Sequence, residues 1–256
     1  MAHVLGVDIG GSGVKAAPVD TTTGEMIAER QKLETPQPST PEAVTEVVQK
    51  LVTAFSWTGP AGITFPGVVA GGVIRTAANL DHSWIGVDAV KAFGSASKLP
   101  VTVLNDADAA GIAETAFGAG KGMRGTVLLL TFGTGIGSAL IIDGKLVPNT
   151  EFGHIQIRGK DAEKRASEHT REEHDLSWGA WADRVDEYLR HMEALLSPDL
   201  IIVGGGVSRK SEKFLPRLTG LQAKIVPAAM LNDAGIIGAA IAAERARSQQ
   251  SAQGRN

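Results

Sequence analysis

The sequence predicts a duplicated α/β fold in two domains with a cleft between them, and three observations carry that expectation. First, the apolar run Val4-Leu5-Gly6-Val7 enters the glycine-rich stretch Asp8 to Lys15 (DIGGSGVK) and leaves through Val14, Ala16, Ala17 and Val19, a strand–turn–strand pattern. Second, Leu128 to Asp143 (LLLTFGTGIGSALIID) repeats it. With Thr131 placed over Asp8, Gly133 falls on Gly10, Ala139 on Ala16 and Asp143 on Asp20. Third, each copy continues through a further turn, at Thr23-Gly24 and at Asp143-Gly144, into a third short strand. Two such meanders in one chain imply duplication, with a glycine turn from each half facing a shared cleft.

The elements between the meanders follow in order. Thr40 is an N-cap with Pro41 at the first helical position, opening a helix to about Phe55 whose Val44, Val47, Val48 and Leu51 share one face. Ala61 to Val69 (AGITFPGVV) is a strand broken at Pro66-Gly67, and Val73-Ile74 begins another. Val101 to Leu104 is a strand ending at Asn105-Asp106, followed by a helix from Ala107 to about Phe117. Gly159 to His174 is densely charged with mixed sign and reads as a solvated helix or loop. Leu176 to Leu196 is an amphipathic helix, Leu200 to Val203 a strand running into Gly204-Gly205-Gly206, and Asp233 to Ala246 a small-residue helix before a frayed polar tail. The domain boundary is expected at 106/107, giving domains 1–106 and 107–235, with a helix at 236–248 packing back on the first.

Composition narrows the class. A chain of 256 residues is ample for two modest cores. Its net charge of −3 gives no global attraction to nucleic acid or an anionic membrane, so a polyanion has to be held by a local patch. With no cysteine, disulfides and thiolate metal sites are excluded, and a reducing compartment is compatible. No charged leader with a long apolar core precedes the first strand, and no apolar run approaches spanning length, so a cytoplasmic enzyme is expected.

Four stretches carry chemistry. In the first turn Gly10, Gly11 and Gly13 expose backbone N–H groups, Ser12 adds a hydroxyl, Lys15 a cation, and Asp8 a carboxylate at the strand end. That is a kit for phosphate plus a divalent ion. Thr131, Gly133, Thr134 and Gly135 are its counterpart. Asp106, at the end of a buried strand, is placed either to accept a hydroxyl proton or to cap the next helix. Glu151 and His154, three apart, are too few for a metal but suit a clamp on vicinal hydroxyls. A metal site joining His154 with His169 and His174 is the weaker alternative. Gly204-Gly205-Gly206 is a strand-end turn. Two nucleotide motifs are ruled out: Ser138 stands where a dinucleotide fingerprint needs its third glycine, and no Gly-Lys pair is followed by Ser or Thr.

DIGGSGVK and LTFGTGIGSAL resemble the two phosphate motifs of the sugar kinase, actin and 70-kDa heat-shock protein superfamily, and within it the ROK family of bacterial sugar kinases. Phe65-Pro66-Gly67-Val68-Val69, Arg75-Thr76-Ala77-Ala78-Asn79, Asn105 to Ala110 and Pro148-Asn149-Thr150-Glu151 are similar to its polyphosphate-using glucokinase and glucomannokinase branch. The resemblance runs from about Val4 to about Ala243.

It implies an actin-like (ribonuclease H-like) ATPase fold and phosphoryl transfer from inorganic polyphosphate, or ATP, to the 6-hydroxyl of glucose or mannose. It implies Asp106 as general base, and a sugar site of Gly67, Asn79, Asn105, Asp106, Glu151 and His154. A further glutamate completes that site, among Glu168, Glu172 and Glu173, with Glu168 taken here. Donor phosphates fall to the two glycine turns, adenosine to Gly204-Gly205-Gly206, Mg²⁺ to Asp8, directly or through water, and the protein is expected to be a homodimer. The cysteine-rich zinc motif that follows the clamp histidine in typical members is missing, so no zinc is expected. Two other classes share parts of this pattern: sugar-sensing regulators, which add an N-terminal helix-turn-helix, and actin-like assembly proteins, which need no Glu-x-Gly-His clamp.

Overall fold

The structure is a computed structural model and describes residues 3–253. The described residues divide into two compact units, one ending at residue 113 and resuming at 233, the other made of residues 114–232.

The first unit begins with strands β1 (His3–Ile9), β2 (Gly13–Asp20), β3 (Glu25–Met26) and β4 (Gln31–Glu34), then helix α1 (Pro41–Ala54), capped by the Thr40 hydroxyl on the Ala43 amide. Strand β5 (Ala61–Phe65) and the hairpin β6 (Val69–Ala70) with β7 (Val73–Ile74) follow. Next come α2 (Ala89–Ser97), β8 (Val101–Asn105) and α3 (Asp106–Ala116), within which the division between the units falls. The sheet order is β3-β2-β1-β5-β8, with β4 also on β2; β1, β5 and β8 are parallel. Parallel strands buried on both faces read as continuous apolar runs, and the period of two assigns each residue its side. Leu5, Val7 and Ile9 of β1 and Ala61, Ile63 and Phe65 of β5 face α1 and α2, around a buried Trp84 packed on Phe65 and Phe93. The opposite face carries Gly6 and Gly62. A Cβ on either would run into the backbone of the C-terminal helix at Ile236 and Ala239, so glycine is what lets that helix lie directly on the sheet.

The second unit holds β9 (Thr126–Phe132), β10 (Ile136–Ile142) and β11 (Lys145–Val147), then the hairpin β12 (Gln156–Ile157) with β13 (Lys160–Asp161). The short helices α4 (Glu163–Ala166) and α5 (Glu168–Glu173), the long helix α6 (Trp178–Leu196), β14 (Leu200–Gly205) and β15 (Lys224–Pro227) complete it. Its sheet order is β11-β10-β9-β14-β15, with β9, β14 and β15 parallel, the same arrangement as β3-β2-β1-β5-β8. Helix α6, capped by Ser177, lays Trp181, Val185, Tyr188, Leu189 and Met192 on Leu128, Leu130, Phe132, Ile201 and Val203. The last helix, α7 (Ala234–Gln253), returns to the first unit.

Several sequence expectations need correction. The repeat slips by one residue after the turn. Asp8 pairs with Lys15 but Thr131 pairs with Gly137, so Ala139 corresponds to Ala17 and Ile142 to Asp20. The cause is a turn of three residues (133–135) where the first copy has four (10–13). Helix α2 escaped notice although Asp88 caps it by accepting from the Lys91 amide. The tail from Ser248 continues α7 as far as Gln253. The segment 159–174 is not a plain solvated stretch: it folds as β13, α4 and α5 and buries Ala162, Ala166, Ser167 and Thr170.

Candidate functional site

In the first unit the strand register brings the singled-out residues to one end of the sheet, since Asp8 lies level with Thr64, and Phe65 with Asn105. This is the carboxyl end of the parallel strands, where α/β sheets bind their ligands. The half-buried Asp8 carboxylate accepts from the Thr64 hydroxyl (2.9 Å) through Oδ1, and Oδ2 lies 3.4 Å from the Lys15 ammonium. The same Thr64 oxygen accepts from the Ile9 amide (3.0 Å), so the strand end and its carboxylate are fixed together. The turn closes by the Gly10 amide donating to Gly13 O (3.0 Å), and the Thr35 hydroxyl donates to Gly10 O (2.5 Å). Gly11 and Ser12 are exposed at its tip. Asn79 comes up against this turn, its carbonyl 3.4 Å from where a Cβ on Gly11 would stand.

Asn105 and Asp106 divide two jobs. Asn105 is buried; its Nδ2 donates to Gly67 O (3.1 Å) and its Oδ1 accepts from the Asp108 amide (3.0 Å), the geometry of a helix N-cap. Asn105 therefore ties the Gly67 turn to the start of α3. Asp106 is the exposed first residue of α3, with Oδ1 accepting from the adjacent Ala107 amide (2.9 Å). Of the two roles that the sequence leaves open for Asp106, capping is performed by its neighbour.

In the second unit Thr131, Gly133, Thr134 and Gly135 form the counterpart turn, closed by the Gly133 amide on Gly135 O (3.0 Å). Gly204 and Gly205 of β14 lie level with Thr131 and Phe132, and Gly205 has φ of 83° with its α-carbon against the Phe132 backbone, a place open to glycine alone.

Glu151 and His154, expected from the sequence to clamp hydroxyls, are tied to the strand that leaves this turn. Ser138, buried in β10, donates to Thr150 O (2.7 Å) and accepts from the Phe152 amide (3.0 Å), fixing the residues on either side of Glu151. Gly153 packs on Ile136 O. His154 is exposed and ringed by carboxylates: Glu151 Oε2 lies 3.9 Å from Nε2, while Asp161 Oδ2 and Glu163 Oε1 lie 3.7 and 3.8 Å from Nδ1. Glu163 reaches back to the glycine turn, its Oε2 accepting from the Ile136 amide (3.3 Å) and lying against Gly135. Burial, opposed by His154 and assisted by Glu163, holds the Glu151 carboxyl above the usual carboxylate range. Asp161 also accepts from Gln156 and faces Lys164 at 3.5 Å.

Spacing missed two of these residues, Asp161 and Glu163. The usable signal was the hairpin β12–β13, whose Arg158-Gly159 turn, with φ of 50° and 74°, folds the chain back so that both carboxylates return to His154. Glu168 lies elsewhere. It is the first residue of α5, its carboxylate against Gly206 and its proton affinity raised by burial and by Glu172. His169 faces Glu173 (3.9 Å). Among the described residues the one set of three or more His, Asp or Glu side chains with ligand atoms close enough to share a metal ion is His154, Asp161 and Glu163.

Comparison with known proteins shows the family. A model of the ROK family matches residues 4–174. The polyphosphate glucokinase of Mycobacterium tuberculosis is 53% identical over 241 residues, covering 94% of this chain and 91% of that protein. The inorganic polyphosphate/ATP-glucomannokinase of Arthrobacter sp. strain KM superposes with a TM-score of 0.92 at 47% identity, over 96% of this chain and 100% of that one. The ROK family glucokinase of Streptomyces griseus, solved with glucose and AMPPNP, superposes with a TM-score of 0.80 at 26% identity, over 95% and 99% of the two chains.

Proposed function

The chain belongs to the ROK family and has its two-domain actin-like ATPase fold, and from that premise we propose that it transfers a phosphoryl group from inorganic polyphosphate, and from ATP, to the 6-hydroxyl of glucose. The observation that carries this reading is Glu163. One of its oxygens accepts from the amide that ends the second glycine turn and the other borders His154, so phosphate turn and hydroxyl clamp share a residue. The relative that is 53% identical supports the choice of polyphosphate as donor.

In this reading the sugar hydroxyls are held by Asn79, Glu151, His154 and Glu163. Glu163, which the structure sets beside His154, replaces Glu168 as the glutamate that completes the site. The Gly67–Asn105 bond fixes the floor on which Asp106 stands. Asp106 accepts the proton of the 6-hydroxyl as its oxygen attacks phosphorus, and the bridging oxygen of the donor leaves on the remaining phosphate chain. The transition state is loose, so most of the work is positioning and charge stabilisation by the exposed backbone of Gly11, Ser12 and Thr134 at the tips of the two turns and by Lys15.

The donor set at Asp8 suits a hard divalent cation, Mg²⁺ in this reading, held through water because both carboxylate oxygens already have protein partners. When bound, the ion supplies neutralisation of phosphate charge. We take the protein to be a cytoplasmic homodimer that also accepts mannose. Among the described residues no helix is long and apolar enough to cross a membrane.

The experiment supplies purified protein with Mg²⁺ and glucose, then either donor, and follows glucose 6-phosphate. Product with long-chain polyphosphate at a rate matching or exceeding that with ATP is the expected outcome. Product with ATP alone would remove the polyphosphate assignment and leave an ATP-dependent sugar kinase.

A further inference from the structure

A chain of net charge −3 carries four cations and one carboxylate between Ser208 and Arg217. The structure gathers part of that excess on one indole. The Arg171 guanidinium stacks 4.4 Å above the Trp178 ring, and the ammonium groups of Lys210 and Lys213 lie 5.8 and 5.7 Å from its centre. Phe214 stacks on the same ring at 6.0 Å, and the Arg217 guanidinium lies against Gly179.

One cation over a tryptophan is common and needs no ligand. Three around one ring repel one another, and the neutralisation within reach is small. Glu172 accepts from Arg171 Nη2 (3.1 Å), while Glu168 sits near Arg171 and Lys210 with its carboxyl pushed up by burial. Arg171 Nε is buried with no hydrogen-bond partner among the described residues. Arg209, Lys210, Lys213 and Arg217 are all exposed. The cations around the ring outnumber the carboxylates beside it by three to two, an excess that suits a further anion.

Its place in the second unit says which anion. The single-turn helices that carry Arg209, Lys210 and Lys213 begin at Gly206, directly after β14, whose Gly205 lies on Phe132. Helix α5, which carries Arg171, starts beside the glycine turn, where the His169 amide donates to Gly133 O (3.0 Å). Six helical residues span about 9 Å, so the cluster begins within one short helix of the phosphate turn.

We propose that the Trp178-centred cluster of Arg171, Lys210 and Lys213, with Arg209 and Arg217 at its margin, anchors the distal phosphates of a long-chain polyphosphate whose reacting end lies at the Gly133 turn. This rests on the donor assigned above. A polyphosphate chain stays charged along its whole length and gains from each further cation by releasing counterions. ATP carries charge only on its three phosphates and presents an uncharged nucleoside beyond them.

The test is K210Q/K213Q, two exposed substitutions whose folding is checked by thermal melting and by the ATP-driven rate. The KM for long-chain polyphosphate should rise about tenfold, with a shallower dependence on salt, while the KM for ATP moves less than about threefold. Titration of the wild type and the variant with long-chain polyphosphate, without glucose, should show the same loss in binding. An unchanged polyphosphate KM, or an equal rise for both donors, overturns the proposal. Should the wild type turn over ATP alone, the donor assignment falls by itself. If the wild type then also fails to bind polyphosphate in the titration, the anchor falls with it.

Discussion

The two glycine turns end equivalent strands of equivalent sheets, yet they are equipped differently. In the first unit a carboxylate, Asp8, closes β1 and is held by Thr64 and Lys15, behind a turn of four residues. In the second a neutral Thr131 occupies the equivalent position, the turn is one residue shorter, and the stabilising carboxylate, Glu163, comes from another segment and binds the turn from behind. The same division recurs at the outer parallel strand: β8 ends at Asn105 and runs into Asp106, whereas β15 ends at Pro227 and runs into Ala228-Ala229. Duplication kept the backbone that presents amides to phosphate and let the side chains part. In the function proposed above, the first unit supplies Asp106 for the proton, Asp8 for the metal ion and Asn79 for the sugar; the second supplies the neutral turn, the other sugar-holding side chains and the basic cluster.

The largest test of that division is Asp106→Ala. If the first unit holds the proton acceptor, kcat falls by about 10²- to 10⁴-fold while glucose binding, measured by calorimetry, persists, because Asn79, Glu151, His154 and Glu163 are untouched. Turnover near the wild-type level would remove Asp106 from the role and end the asymmetry at the outer strands. Next in size is the pair Asp8→Asn and Thr131→Val. Removing the carboxylate should cost about 10²-fold in kcat, in line with losing one electrostatic stabiliser, and should raise the metal concentration needed for half-maximal rate. Thr131→Val should cost less than about tenfold, since no charge is lost. Equal losses would mean that the two turns still do the same work.

How much of this was legible in the chain depended on how local each signal was. The paired turns and the Thr40 cap are contiguous patterns and led to the fold, and the Glu151/His154 spacing singled out two side chains that the structure sets 3.9 Å apart. The one-residue slip was not legible, because a three-residue and a four-residue turn with similar glycines look alike until strand pairing fixes the register. Asp161 and Glu163 were hidden in a charged run whose composition says solvent. Their position depends on a two-residue hairpin turn that needs left-handed φ at Arg158 as well as at Gly159. The basic cluster around Trp178 joins α5, α6 and the turns after β14, and no window of sequence contains all three.

Glu151 gives a smaller effect with two opposed readouts. Its carboxyl is held above its ordinary value of 4.5, chiefly by burial. A group that holds its proton more tightly when folded favours the folded state below the unfolded pKa, and that advantage disappears as pH rises through the folded value. Glu151→Gln should therefore melt higher than the wild type at neutral pH, and the difference should vanish below about pH 4. Replacing a charge-assisted acceptor by a neutral one should meanwhile raise the KM for glucose about tenfold, about 1.4 kcal/mol. A variant that is neither more stable nor weaker for glucose would deny Glu151 its place in the clamp.

Ser138 is the smallest and most pointed case, because the other unit contains its control. By register Ser138 corresponds to Ala16, which is equally buried in β2 and has no hydroxyl. Nothing hangs from Ala16, whereas the Ser138 hydroxyl holds Thr150 O and the Phe152 amide. Ser138→Ala makes the second strand like the first. It leaves the partly buried Phe152 N–H without its acceptor, at a cost of about 1 kcal/mol by thermal unfolding. The loss of position at Glu151 should raise the KM for glucose a few fold and leave the KM for the donor alone, since the glycine turn keeps its own bonds and its contact with Glu163. A rise confined to the donor would place the hydroxyl in the service of the turn instead, and the clamp would then need another explanation for how it is held to β10.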